Sequence, residues 1–138
     1  MQDAPTWLLV ERLSVDSAGE TFFESCRIPN MGIMPSVSGR NCIFSSVPLA
    51  VDHVSVRIIP EGTDIHHNAP ERRLVAILSG TMEVTASNGH SRKWSGGELM
   101  LATDTGQGKG HRTRAVGGDV LTVVAALPTD LDLDSWAT

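Results

Sequence analysis

The segment GTDIHHNAPERRLVAILSG, residues 62–80, is the most informative part of this chain. Its second half, together with residues 81–85, has the pattern of two β-strands broken by Ser79 and Gly80, which predicts a hairpin. Its first half places His66 and His67 at the start of that hairpin, and a glycine-rich stretch at residues 96–113 adds His111. Two histidine-bearing β segments around a hairpin predict a small barrel with a polar pocket.

Short strand signals recur along the rest of the chain, separated by Gly, Pro, Asn and Asp. No segment has a sustained helical period of apolar residues, and residues 29–47 are predicted to be irregular. Asn88 and Gly89 predict a tight hairpin turn. This spacing is typical of a sandwich or a closed barrel. The predicted strands are residues 7–13, 21–27, 53–59, 64–67, 73–78, 82–86, 91–94, 98–102, 111–116 and 120–127.

Size and composition limit the class of protein. A chain of 138 residues with 41% hydrophobic and 20% charged residues predicts one globular domain. The net charge of -5, without runs of like charge, argues against nucleic acid or an anionic membrane as the main partner. No signal-peptide pattern or membrane-length apolar run is visible, and Cys26 and Cys42 form no C-x-x-C pair. We therefore expect a cytoplasmic protein with free thiols.

The order of these features resembles the cupin family. Gly80 matches the glycine that ends the first cupin motif, and Gly97 and His111 match the two ends of the second. The segment HNAP at residues 67–70 and the segment DTGQGKGH at residues 104–111 are similar to the H-x-A-P and D-T-x-G-x-G-H segments of small uncharacterised single-domain cupins. The resemblance implies an all-β fold, a double-stranded β-helix or jelly-roll antiparallel barrel. One cupin domain would span residues 1–138, with a hairpin arm and irregular segment at 1–49, the barrel at 50–127 and an acidic tail at 128–138.

The resemblance to cupins does not extend to all of the metal-binding positions. A full cupin site has three histidines and a carboxylate, whereas the matching positions here are His67, Ala69, Arg73 and His111. Two imidazoles rarely hold a transition metal alone, so Glu71 is the predicted third ligand if a metal binds. An inward Arg73 would repel that cation. The cofactor is thus either absent or one divalent transition metal such as iron, manganese or zinc.

Strand alternation predicts which histidine faces the barrel interior. Ile65, His67 and Ala69 form the more apolar face of their strand, so His67 should point inward and His66 outward. His67 and His111 are therefore the predicted catalytic acid and base. The alternative is that both are core histidines satisfied by hydrogen bonds.

Anion binding is predicted for the arginines. Arg73 as a third catalytic residue, with Arg57, would bind a carboxylate or stabilise an enolate. Alternatively, Arg73 forms a structural bridge to Glu71, Asp104 or Glu98. Met100 and Asp104 are further predicted substrate-binding residues, and Asp104 is also suited to orienting His111 or Lys109. The glycine-rich loop 104–110 either cradles an anion or is a turn that aims His111.

Three functions follow from these residues. The first is an isomerase, cyclase or lyase acting on a small, anionic molecule. The second is a metal-dependent oxygenase using His67, His111 and Glu71. The third is a non-catalytic barrel that binds a small ligand.

A homodimer is the expected assembly. Residues 73–78 are apolar on both faces, and only one face can line the barrel. The hairpin arm of residues 7–27 is predicted to cover the other face, within its own subunit or in a neighbour. Trp136, in the acidic tail, is expected to lie on the surface.

Overall fold

A computed structural model describes residues 8–28, 32–33 and 43–136. Trp7, which begins the first predicted strand, and Cys42 lie outside these ranges. The described residues form twelve strands and one short 3-10 helix at Leu133–Trp136. The strands are β1 (Leu8–Val15), β2 (Thr21–Ile28), β3 (Gly32–Ile33), β4 (Phe44–Ser45), β5 (His53–Ile59), β6 (Asp64–His67), β7 (Arg73–Ser79), β8 (Thr81–Ala86), β9 (Ser91–Ser95), β10 (Leu99–Ala102), β11 (His111–Ala115) and β12 (Val120–Ala126).

Two sheets form the body of the protein. A six-stranded sheet has the order β2-β1-β10-β7-β12-β5, and a four-stranded sheet has the order β6-β11-β8-β9. From β5 to β12 the chain crosses between these sheets at every connection except the β8–β9 hairpin. This connectivity is that of an eight-stranded jelly roll, so the all-β prediction is confirmed. The pair β3–β4 stands apart, within the segment predicted to be irregular. No helix among the described residues has the length and apolar character needed to cross a membrane.

The predicted hairpin across Ser79 and Gly80 is wrong. β7 pairs with β10 and β12, whereas β8 pairs with β11 and β9, so the two strands belong to different sheets. Gly80 has a φ of 81°, and a Cβ there would meet the carbonyl oxygen of Asp119. The break is therefore a crossover that only glycine fits, and it carries the chain from one face of the barrel to the other.

The hairpin arm β1–β2 extends the six-stranded sheet within its own chain. β1 lies parallel to β10, the one parallel pair among the described strands, and antiparallel to β2. On the inner side, the rings of Phe23 and Trp94 lie 5.8 Å apart, which joins the arm to the opposite sheet. The arm thus lengthens the barrel wall and does not lie across its outside.

The C-terminal segment covers part of the outer face instead. Leu133 and Trp136 are buried against the outward side of the six-stranded sheet, and Trp136 is only 3% exposed. The expectation that Trp136 lies on the surface is therefore wrong. The acidic residues of this segment alternate with apolar ones, so a short helical turn can bury Leu133 and Trp136 while Asp132 and Asp134 face water. The sheet residues in this cluster include Val10, Cys26, Leu74, Leu99 and Leu101.

Candidate functional site

A cavity of about 220 Å³ lies between the two sheets. Most of its wall is apolar, and the polar groups that the described residues contribute are two histidines, two arginines and two threonines. An apolar cavity with a few convergent polar groups is the usual form of a small-molecule site. The apolar wall includes Ile65, Val75, Met82, Val84, Met100 and Val124.

His67 and His111 stand side by side in this cavity. β6 and β11 are antiparallel neighbours in which His67 is directly opposite His111. The ring centroids are 4.6 Å apart, with the ring planes at 52°. His66 is exposed on the other side of the strand, as the alternation of residues predicts.

A buried carboxylate holds His111. Asp104 Oδ2 lies 2.5 Å from His111 Nδ1, and the Asp104 side chain is 0% exposed. Because Nδ1 is engaged, Nε2 is the nitrogen of His111 that remains for a ligand in the cavity. Asp104 does not line the cavity, so its predicted substrate-binding role is not supported. It lies behind His111 and orients that ring.

The loop between β10 and β11 is fastened to the hairpin arm. The backbone N–H and the hydroxyl of Thr103 both donate to the Leu13 carbonyl oxygen, each at 2.9 Å. At the other end, the backbone N–H of Lys109 donates to the Gly19 oxygen at 2.7 Å, and the Thr21 hydroxyl donates to the Gly110 oxygen at 2.8 Å. No residue of 104–110 lines the cavity. The loop is therefore a turn that aims His111, and an anion cradle has no support.

The surroundings of His67 favour the neutral form of its imidazole. Burial lowers the pKa of its imidazole below the ordinary value, and the neighbouring His111 and the cation of Arg73 lower it further. Asp104 acts in the opposite direction. His67 thus remains mostly neutral at neutral pH and can accept a proton.

Arg73 enters the same cavity from the first position of β7. Its side chain is 8% exposed, and its Nε has no hydrogen-bond partner in the described part of the chain. No ion pair there includes Arg73, so the predicted bridge to Glu71, Asp104 or Glu98 is not formed. Burial, and then the nearby Arg57, lower the pKa of this guanidinium, which stays charged because arginine is not deprotonated in proteins.

The other predicted site residues divide into two groups. Arg57, exposed on β5, and Met100, buried on β10, both line the cavity. Glu71 does not line it. Sequence reasoning missed Thr113 and Thr122, which also line the cavity. Thr113 could have been found by alternation from His111, and Thr122 as the one polar residue in an otherwise apolar strand.

Comparisons with known proteins give distant structural likenesses. No protein-family model and no curated protein sequence matches the chain. An RmlC-like cupin with a double-stranded β-helix from Methanocaldococcus jannaschii is 13% identical, with a TM-score of 0.46 over 54% of this chain and 68% of that one. A cupin from Bacteroides fragilis is 19% identical, with a TM-score of 0.45 over 61% and 72%. A putative ethanolamine utilization protein Q from Salmonella typhimurium is 11% identical, with a TM-score of 0.46 over 91% and 100%.

These likenesses, with TM-scores of 0.45 to 0.46, are too distant to carry an argument, so strand connectivity alone decides the fold. The strands β5 to β12 form the facing sheets β5-β12-β7-β10 and β6-β11-β8-β9, which is the double-stranded β-helix. This chain has the cupin fold.

The described residues of the barrel do not form a fitting metal site. In the described residues, no three His, Cys, Asp or Glu side chains are grouped so that they could hold a metal ion. Ala69, buried in the core, has no ligand atom, and Arg73, which lines the cavity, brings a positive charge to the position of a carboxylate. Two imidazoles beside a guanidinium are a poor donor set for a divalent cation. The metal hypothesis therefore lacks its third ligand here.

Proposed function

We propose that this cupin is a small-molecule enzyme that transfers protons within its substrate, as isomerases, cyclases and lyases do. The observation that carries the proposal is the pairing of His67 with a second imidazole, His111, that a buried Asp104 holds in place. Two such groups facing one cavity can act on two positions of the same molecule.

The two histidines have different surroundings, and these support different roles. His67 has a lowered pKa and is neutral, which suits the base that removes a proton from the substrate. The Asp104 carboxylate fixes Nδ1 of His111 and leaves Nε2 for the cavity, which suits the group that returns a proton from Nε2. Arg73 would stabilise the negative charge that develops between the two steps.

Solvent exchange tests this chemistry without knowledge of the natural reaction. Pyruvate, 2-oxobutanoate and acetoacetate would be incubated with the protein in D2O, and deuterium incorporation next to the carbonyl followed by proton NMR. We expect exchange above the buffer rate, a loss of at least about a hundredfold in His67→Ala and His111→Ala, and little change in His66→Ala. Exchange with none of these compounds, or exchange that survives both substitutions, would count against the proposal.

A non-catalytic binding barrel is the second candidate, because an apolar cavity with one buried cation is sufficient for binding alone. That reading predicts ligand binding without solvent exchange. The oxygenase has less support, since Glu71 does not line the cavity. Elemental analysis of the purified protein tests it, because stoichiometric iron or manganese with chelator-sensitive turnover would favour the oxygenase.

A further inference from the structure

Arg73 is a buried cation that forms no ion pair in the described part of the chain. Its side chain is 8% exposed, it lines the cavity, and its Nε is unpartnered. A guanidinium in such a place is costly unless it is paired, and it has five N–H donors to satisfy. The Arg73 guanidinium is therefore available to donate hydrogen bonds to a ligand in the cavity.

The groups around Arg73 do not supply an acceptor. The charges of Glu71 and Asp104 act on Arg73, but neither carboxylate forms an ion pair with it in the described part of the chain, and Asp104 Oδ2 is engaged with His111. Arg57 is a second cation on the cavity wall, and its Nε donates to Ser55 at 3.0 Å. Among the described residues that line the cavity there is no carboxylate. The described wall of the cavity therefore carries the cations of Arg57 and Arg73 without a carboxylate beside them, and an incoming anion would pair with that charge.

We infer that the ligand of this cavity is a small monocarboxylate with an apolar body, its carboxylate paired with Arg73. The inference deepens the proposed function, and the conclusion that this ligand is a substrate rests on that function. The Nε side of a guanidinium forms two parallel hydrogen bonds with the oxygens of one carboxylate. The apolar body would pack against Met82, Val84 and Met100, which places its near carbons beside His67 and His111.

Size and charge favour a carboxylate over a phosphate. The cavity of about 220 Å³ is below the ~300 Å³ at which pockets for drug-sized ligands begin. One buried cation balances a single negative charge, whereas a phosphate dianion would bring a second charge against a largely apolar wall. The threonines of the wall, Thr113 and Thr122, add two hydroxyls and no charge.

Matched pairs of acid and amide test the inference. Benzoate and hexanoate would be titrated against benzamide and hexanamide, with inorganic phosphate as a separate probe, and binding followed by proton–nitrogen NMR shifts. In the unsubstituted protein we expect each acid to bind about ten- to a hundredfold more tightly than its amide, as is typical of a hydrogen bond to a charged group. This comparison requires no variant.

Variants then assign the preference to one residue. Arg73→Gln should remove the preference for acid over amide. Arg73→Lys keeps the positive charge but lacks the two parallel N–H donors of a guanidinium, so it should reduce the preference. Arg92→Gln is the matched control, because Arg92 lies on β9, pairs with Glu11 at 3.6 Å and does not line the cavity. The Arg92→Gln protein should prefer acids over amides as strongly as the unsubstituted protein does.

Several results would overturn the inference. They are equal binding of acids and amides, binding of neither, binding of phosphate in preference to the acids, or an acid preference that survives Arg73→Gln in a folded protein. Failure of the proposed function is a separate result: His67→Ala and His111→Ala should still bind benzoate in preference to benzamide, whatever the exchange experiment shows.

Discussion

Arg73 places a positive charge inside a barrel where no described residue pairs with it. Removing a buried, unpaired charge commonly stabilises a fold. We therefore expect Arg73→Met to raise the free energy of unfolding of the ligand-free protein by about 1–3 kcal/mol, measured by urea denaturation. Arg92→Met, on the surface, should change it by less than about 0.5 kcal/mol. If Arg73→Met destabilises the protein instead, the guanidinium has a structural partner.

His67 gives a prediction about pH. Burial, His111 and Arg73 lower its pKa, so the folded protein resists protonation that the unfolded chain accepts near its ordinary value of about 6.5. Above that pH neither state is protonated at His67, and stability does not depend on it. As the pH falls below about 6.5, the unfolded state binds more protons and stability is lost, until the folded His67 also titrates.

Proton NMR of the histidine rings would measure this directly. We expect His67 to titrate below the ordinary histidine value, and Arg73→Met to raise its pKa because one nearby cation is removed. An unchanged His67 titration in Arg73→Met would show that the two side chains are not electrostatically coupled. His66 in the same spectra serves as the exposed control.

The connection between β10 and β11 positions His67 and His111 through its last glycine. Gly110 has a φ of 76°, and a Cβ there would lie 2.9 Å from the carbonyl oxygen of His67. Gly106, in the same loop, has a φ of 89° but no atom within 4 Å of such a Cβ. A side chain would strain the backbone at either glycine, but only at Gly110 would it also collide with a neighbouring strand.

Alanine at each position separates these two effects. Gly106→Ala should lower the free energy of unfolding by about 1–2 kcal/mol through strain alone. Gly110→Ala should lower it further and shift the ring signals of His67 and His111, because the new methyl group pushes β6 away from β11. Equal losses with unmoved histidine signals would show that the loop does not set the distance between the two rings.

The six-stranded sheet leaves an apolar stripe uncovered at its β5 edge. Val54, Val56 and Ile58 point outward from β5, and Val56 is 69% exposed. Leu78 on β7 is also exposed, while the C-terminal segment covers Leu74 farther along the same strand. β5 pairs with β12 on one side only, so its other edge has unpaired backbone groups among the described strands. An antiparallel second copy would satisfy that edge and cover the stripe around a two-fold axis.

We therefore expect a homodimer formed through β5. Light scattering at micromolar concentration should give twice the 14.8 kDa mass of one chain. Val56→Lys, which puts a charge on the exposed edge, should shift the protein to the monomer without unfolding it. Lys93→Gln, on the four-stranded sheet, is the control and should remain dimeric. A single-chain mass for the unsubstituted protein would refute this assembly.

The strands and the inward direction of His67 could be predicted from the order of the residues. Both depend on alternation along a strand, which is a local property of the backbone and needs no knowledge of the partner strand. The Asn88–Gly89 turn is local in the same sense, and it is confirmed by the Ala86 N–H, which donates to the His90 oxygen at 2.9 Å, and the Gly89 N–H, which donates to the Ala86 oxygen at 3.0 Å. Arg57, Arg73 and Met100 reached the cavity because each has the right parity on its strand.

Contacts between distant segments could not be predicted from the sequence and are known only from the tertiary structure. Whether β7 and β8 form a hairpin or cross between sheets depends on which strands compete for their edges, and residue order does not show that competition. The path of loop 103–110, fastened by Leu13, Gly19 and Thr21, brings Asp104 behind His111 and not into the cavity. The burial of Trp136 likewise depends on a free outer face elsewhere in the fold. Alternation places a side chain on one face of a strand, but packing determines what it meets there.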